Sequence, residues 1–133
     1  MRRYILYVGA ALAALTACNE NIDEVLLQRS DISLTVKGEL MMSYDENTCQ
    51  LGYNQERNEF RVYDDNIANW FIISCDAHPS IVGQEVTADL EYTTADDTKT
   101  YRNLEFSVEK TSSDGLIWLW CKDKQIGLVV KAL

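Results

Sequence analysis

The chain has 133 residues, of which 47% are hydrophobic and 25% charged, and its 21 acids against 12 bases give a formal net charge of −9. That length holds one domain, and the apolar content is enough for a core. The acidity argues against nucleic acid, which requires a basic footprint, and against electrostatic adhesion to anionic lipid.

The N-terminus is read first. Met1-Arg2-Arg3 is positively charged, and Tyr4 to Leu15 is an almost unbroken apolar run. The run is shorter than the roughly 20 residues that span a bilayer. Positive start, short apolar core and small residues at its end are the features of a secretory signal peptide. An ordinary cleavage site wants small residues at −1 and −3, yet Leu15 stands three before Cys18. The stretch Leu15-Thr16-Ala17-Cys18 resembles the lipobox of bacterial lipoproteins. The resemblance implies that residues 1–17 are a signal peptide. It also implies that Cys18 is acylated and becomes the first mature residue, placing the protein at the cell envelope as an outer-membrane lipoprotein. Two or more acyl chains make a stable anchor where one does not. Glu20, Asp23 and Glu24 also resemble the acidic export signals of Bacteroidota surface lipoproteins, although Asn19 is the first residue after Cys18. The alternative is a plain secreted protein. Cleavage before Cys18 leaves 116 residues and, with Arg2 and Arg3 gone, a charge of −11.

Residues 18–30 read as the lipidated cysteine and an acidic tether ending in a turn of helix, and residues 31–133 as a β domain. From Ser30 the apolar period becomes two: Ile32, Leu34, Val36, Leu40, Met42 and Tyr44 alternate with mostly polar residues, which predicts one half-buried strand with a bulge at Gly38. Thr48–Tyr53 and Glu59–Tyr63 predict a hairpin. Asn69–Cys75 predicts a strand apolar on both faces. A long loop, Asp76–Gln84, follows and holds His78, Pro79, Ser80 and Gly83. Val86–Tyr92 alternates, Thr93–Thr100 reads as a polar turn, and Leu104–Glu109 alternates again. Ser112-Ser113-Asp114-Gly115 is a strong turn signal. Leu116–Cys121 is apolar on both faces, and Gln125–Lys131 is the last strand. About eight short antiparallel strands at regular spacing predict an all-β fold, a small sandwich or barrel.

The chemistry-bearing residues are few. Cys49, Cys75 and Cys121 remain after Cys18. An exported protein can form disulfides, and three cysteines allow one pair and one free thiol. Cys75 and Cys121 each close an apolar strand and are the first choice of pair; three buried thiols acting as small hydrophobes are the alternative. His78 is the sole histidine, three residues from Cys75, but nucleophile and base are assembled in space and this spacing does not define a dyad. A Cys₃His zinc site from Cys49, Cys75, His78 and Cys121 has only one short-spaced ligand pair. Asp64-Asp65 and Asp96-Asp97 lie in turns, where Asp bonds its own backbone, and Asp45-Glu46-Asn47 lacks the glycine of a calcium loop. No catalytic set, metal site or cofactor is expected.

The tryptophans carry the remaining signal. Trp118 and Trp120 share one face of a strand, and Trp70 lies in the other doubly apolar strand. A strand apolar on both faces is either covered or exposes an interaction patch. The expectation is a non-enzymatic, membrane-anchored lipoprotein presenting a binding domain to an envelope or extracellular protein, with the 76–84 loop as contact. A protease-inhibitor lipoprotein would use that loop in the same way. A glycan-binding accessory lipoprotein would instead use Trp70, Trp118 or Trp120 as a stacking platform. Fully buried indoles with an ordered, protruding loop favour the first reading; a groove with exposed indoles favours the glycan.

Overall fold

The computed structural model describes residues 24–95 and 97–132. The expected signal peptide, Cys18, the start of the expected tether, Asp96 and Leu133 lie outside the described residues. After a short helix α1 (Glu24–Gln28) come nine strands: β1 (Ile32–Val36), β2 (Glu39–Tyr44), β3 (Cys49–Asn54), β4 (Glu59–Asp64), β5 (Trp70–Cys75), β6 (Glu85–Thr94), β7 (Asp97–Thr111), β8 (Leu116–Cys121) and β9 (Ile126–Lys131). They form one antiparallel sheet in the order β2-β1-β9-β8-β7-β6-β5-β4-β3. The last strand returns to pair with the first, and the two edges, β2 and β3, are neighbours in the chain. The sheet is therefore a nearly closed barrel, and the expectation of an all-β fold is met.

Two details differ from the sequence reading. The stretch Ile32–Tyr44 is not one strand but a hairpin. Lys37 and Gly38 both have positive φ (52° and 83°) and form a two-residue turn, with Val36 opposite Glu39 and Leu34 opposite Met42. Two left-handed residues match the twist of the flanking strands. The two-residue turn by itself reverses the parity, putting Val36 opposite Glu39, and the register shift between Leu34 and Thr35 adds one residue to β2 and restores it, so that the apolar rhythm resumes at Met42. Likewise the polar stretch Thr93–Thr100 is mostly strand. Thr94 pairs with Asp97, and Thr93 with Thr98. Its side chains are polar because this end of the β6–β7 ribbon is largely solvent-exposed.

β7 is the long element that joins the two halves of the sheet. Its first part pairs with β6 as far as Ser107, opposite Glu85, and its last part pairs with β8, with a register shift between Val108 and Lys110. The barrel interior is filled by Leu34, Phe60, Phe71, Ile73, Leu90, Phe106, Leu119 and Leu128 among others, all essentially inaccessible. A second, smaller apolar cluster lies on the outer face, where Leu26 of α1 packs on Trp118, Trp120 and Val129. Gly127 is the floor of that contact: a Cβ there would stand 2.9 Å from Leu26 Cδ2. Leu26 thus fixes α1, the turn of helix expected at the end of the 18–30 segment, against the outer face of the barrel.

Candidate functional site

The 76–84 loop is braced from within. Where β5 ends, Asp76 N donates to Thr87 O (2.9 Å) and Asp76 Oδ1 accepts from Thr87 N (3.0 Å). Gln84 organises the rest. Its Oε1 accepts from Ser80 N (2.9 Å) and Ile81 N (3.2 Å), its Nε2 donates to His78 O (3.0 Å), and its backbone N donates to Ile81 O (2.9 Å). Gly83, at φ 95°, donates to Val108 O, and Val108 N donates to Gln84 O, both at 2.9 Å. These bonds continue the β6–β7 ladder into the loop. Pro79 is buried, and His78 Nδ1 lies 2.6 Å from Tyr53 OH.

This scaffold holds Ile81 and Val82 out into solvent, 68% and 58% exposed. The sequence reading named His78, Pro79, Ser80 and Gly83 as the contact loop. Within that loop Pro79 faces inward and Gly83 is pinned to β7, so they shape it. His78 and Ser80 are exposed as expected, and the exposed apolar side chains of the loop are Ile81 and Val82, which sequence reasoning did not single out. The available signal was an adjacent apolar pair between Pro79 and Gly83, too short to show periodicity.

The tryptophans do not form one platform. Trp118 and Trp120 are 3% and 6% exposed, beneath α1. Trp118 Nε1 donates to Arg29 O (3.1 Å), and Lys110 Nζ sits 4.6 Å from the Trp118 ring centroid while donating to Leu27 O (3.1 Å). Trp120 edges a cleft of about 580 Å³ with Glu85, Glu105, Phe106, Ser107, Lys122 and Asp123, but its Nε1 is buried and has no partner among the described residues. Ser33 Oγ and Thr35 Oγ1 are in the same position. Trp70 is half-buried, three strands away on β5, beside Tyr63 with ring centroids 6.3 Å apart.

Cys49, Cys75 and Cys121 are free thiols, which corrects the expected Cys75–Cys121 pairing. β5 and β8 are separated by β6 and β7, about 14 Å along the sheet, whereas disulfide-linked Cα atoms stand within about 7 Å. Both side chains belong to the interior cluster as small hydrophobes. Burial, and then Asp76, push the Cys75 thiol up to about 12, so it stays protonated. Its neighbour in sequence, His78, is committed to Tyr53, and no Cys–His dyad forms. Burial and the nearby acids Asp45, Asp65 and Glu46 hold the half-buried Cys49 at about 11. Among the described residues no group of three His, Cys, Asp or Glu side chains could hold a metal ion. Thiol titration of the domain from residue 19 checks the pairing: the native protein reacts slowly with an aromatic disulfide reagent at pH 8, and denaturation releases all three thiols. Release of a single thiol would mean that two of the three are joined.

No protein-family model, characterised protein or solved structure matches this chain.

Proposed function

We propose that this protein is a membrane-anchored lipoprotein that presents a non-enzymatic β-barrel to a protein partner, with Ile81 and Val82 as the anchor. The observation that carries the reading is an exposed apolar pair on a loop whose backbone is already fixed. Such a segment loses little conformational freedom on docking, so more of its contact energy appears as affinity. Two large apolar side chains held mostly in water contribute little to this barrel, whereas in a partner's pocket they bury further area worth roughly 25 cal/mol per Å². The buried Trp118 and Trp120 point the same way, since neither offers a face for a sugar to stack on. The lipid anchor rests on the lipobox-like Leu15-Thr16-Ala17-Cys18, and the acidic domain is consistent with attachment through lipid rather than through charge.

One experiment tests both halves. The full chain is expressed in its source cell with a clickable fatty acid, solubilised, and isolated with whatever it holds. The expected result is fatty-acid label that disappears in Cys18→Ala, together with a discrete co-purifying protein. That protein is lost in the double variant Ile81→Asp, Val82→Asp, whose Tm stays within a degree or two of the parent. Retention of the protein by the double variant would refute the loop as anchor, and a captured protease would make inhibition the specific form of the function.

A further inference from the structure

The β4–β5 turn contains a feature that folding does not explain. Ile67 has φ 59° and its side chain is 57% exposed. A β-branched residue in the left-handed region is a genuine outlier, because its Cβ crowds the backbone. The turn imposes that conformation firmly. Asp64 Oδ1 accepts from Asn66 N (3.1 Å) and Ala68 N (2.9 Å), and Oδ2 accepts from Asn69 N (3.2 Å) and Nδ2 (3.1 Å). The backbone closes through Ile67 N to Asp64 O and Asp64 N to Asn69 O, both 3.0 Å. Burial alone would raise the Asp64 carboxyl, but the bonds from Ala68, Asn69 and Asn66 outweigh it and hold it below the usual range. Glycine or asparagine would fit this position without strain. Isoleucine costs backbone strain here and, being exposed, returns little packing to the barrel.

Tyr63 and Trp70 flank the turn, opposite one another in the ladder and both half-exposed on the outer face. Aromatic residues flanking a turn with an exposed aliphatic tip are the composition of an interface anchor. The charge around them is acidic. Asp65 is exposed, and among the described residues no cation pairs with it or with Asp64. The nearest base in sequence is spoken for: Arg61 Nε binds Glu59 Oε1 at 2.8 Å.

We propose that this turn is a second protein-docking surface, with Ile67 at its tip and Tyr63 and Trp70 flanking it on the strands, and that its partner presents an apolar pocket bordered by lysine or arginine. An anionic lipid surface would be repelled by Asp64 and Asp65. A second copy docked symmetrically would set the same acids against each other. The surface lies at the start of β5, at the opposite end of that strand from the 76–84 loop, and it stands or falls independently of that loop.

The test places a photo-crosslinking residue at Ala68 in the full chain, expressed in the source cell. The expected result is one discrete adduct to a different protein, whose crosslinked peptide lies beside lysine or arginine. The adduct yield falls at least about tenfold in Ile67→Asn, the loss a single anchor carries, and falls likewise in Asp65→Lys. Ile67→Asn has a Tm equal to or above the parent's, because asparagine tolerates the left-handed backbone. Four results would each overturn the proposal: no adduct, an adduct to lipid or to a second copy, an unchanged yield in Ile67→Asn, or a lower Tm in that variant, which would show that Ile67 serves the fold.

Discussion

Phe71→Ala is expected to lose about 3–5 kcal/mol of folding free energy. Phe71 lies on the inner face of β5, fully inaccessible, with Val62 opposite it on β4 and Tyr92 opposite it on β6. Truncation removes a ring from the middle of a closed interior, and strands held by ladder bonds on both sides cannot move in to fill the space. Domains of this kind are stable by about 5–15 kcal/mol in all, so the loss is a large share of the total. Phe71→Leu keeps most of the volume and is expected to cost less than about 1.5 kcal/mol. Urea denaturation followed by tryptophan fluorescence reads both. A loss below about 1 kcal/mol in Phe71→Ala would mean that the inner face of β5 does not face the main core.

Much of the barrel was legible in the chain because a strand with one face inside leaves a period of two. Val86, Ala88, Leu90 and Tyr92 alternate in sequence and are buried in alternation in β6. Boundaries were less legible where two physical states give one pattern. The two-residue Lys37-Gly38 turn reverses the parity and the extra residue of β2 between Leu40 and Met42 restores it, so the hairpin reads as one continuing strand. Thr98 to Thr100 form strand but face water on both sides, so they read as a turn. The candidate site divides in the same way. The loop was identifiable from Pro79 and Gly83, but the residues it displays were not, because exposure is set by how Gln84 folds the loop back on itself. Ile67 was invisible for a related reason. A left-handed isoleucine has no sequence signature, since the sequence prior for that conformation is glycine or asparagine.

Trp118→Ala is the second large effect, and it separates the structural role of the indoles from a ligand-binding one. The outer face of β8 is apolar, yet a sheet of this kind leaves its outer face to water unless something covers it. Here α1 covers it through Leu26, with the Trp118 N–H held by Arg29 O and Lys110 bridging from the Trp118 ring to Leu27 O. Removing the indole takes away the floor on which α1 sits, the donor to Arg29 O and the ring under Lys110. The expected cost is about 3–5 kcal/mol, the range for truncating a buried tryptophan. Trp118→Phe keeps the apolar floor but leaves Arg29 O without its donor, and is expected to lose about 1–3 kcal/mol. A local readout accompanies the global one. Arg29 is half-buried where the chain passes from α1 to β1, and trypsin should cut there faster in Trp118→Ala than in the parent under conditions where both barrels remain folded. If the fold instead kept its stability and its resistance at Arg29 while binding to a polysaccharide panel disappeared, Trp118 would be a recognition residue. The helix would then be a cover that moves aside, and a sugar, not a protein, would be the partner to seek.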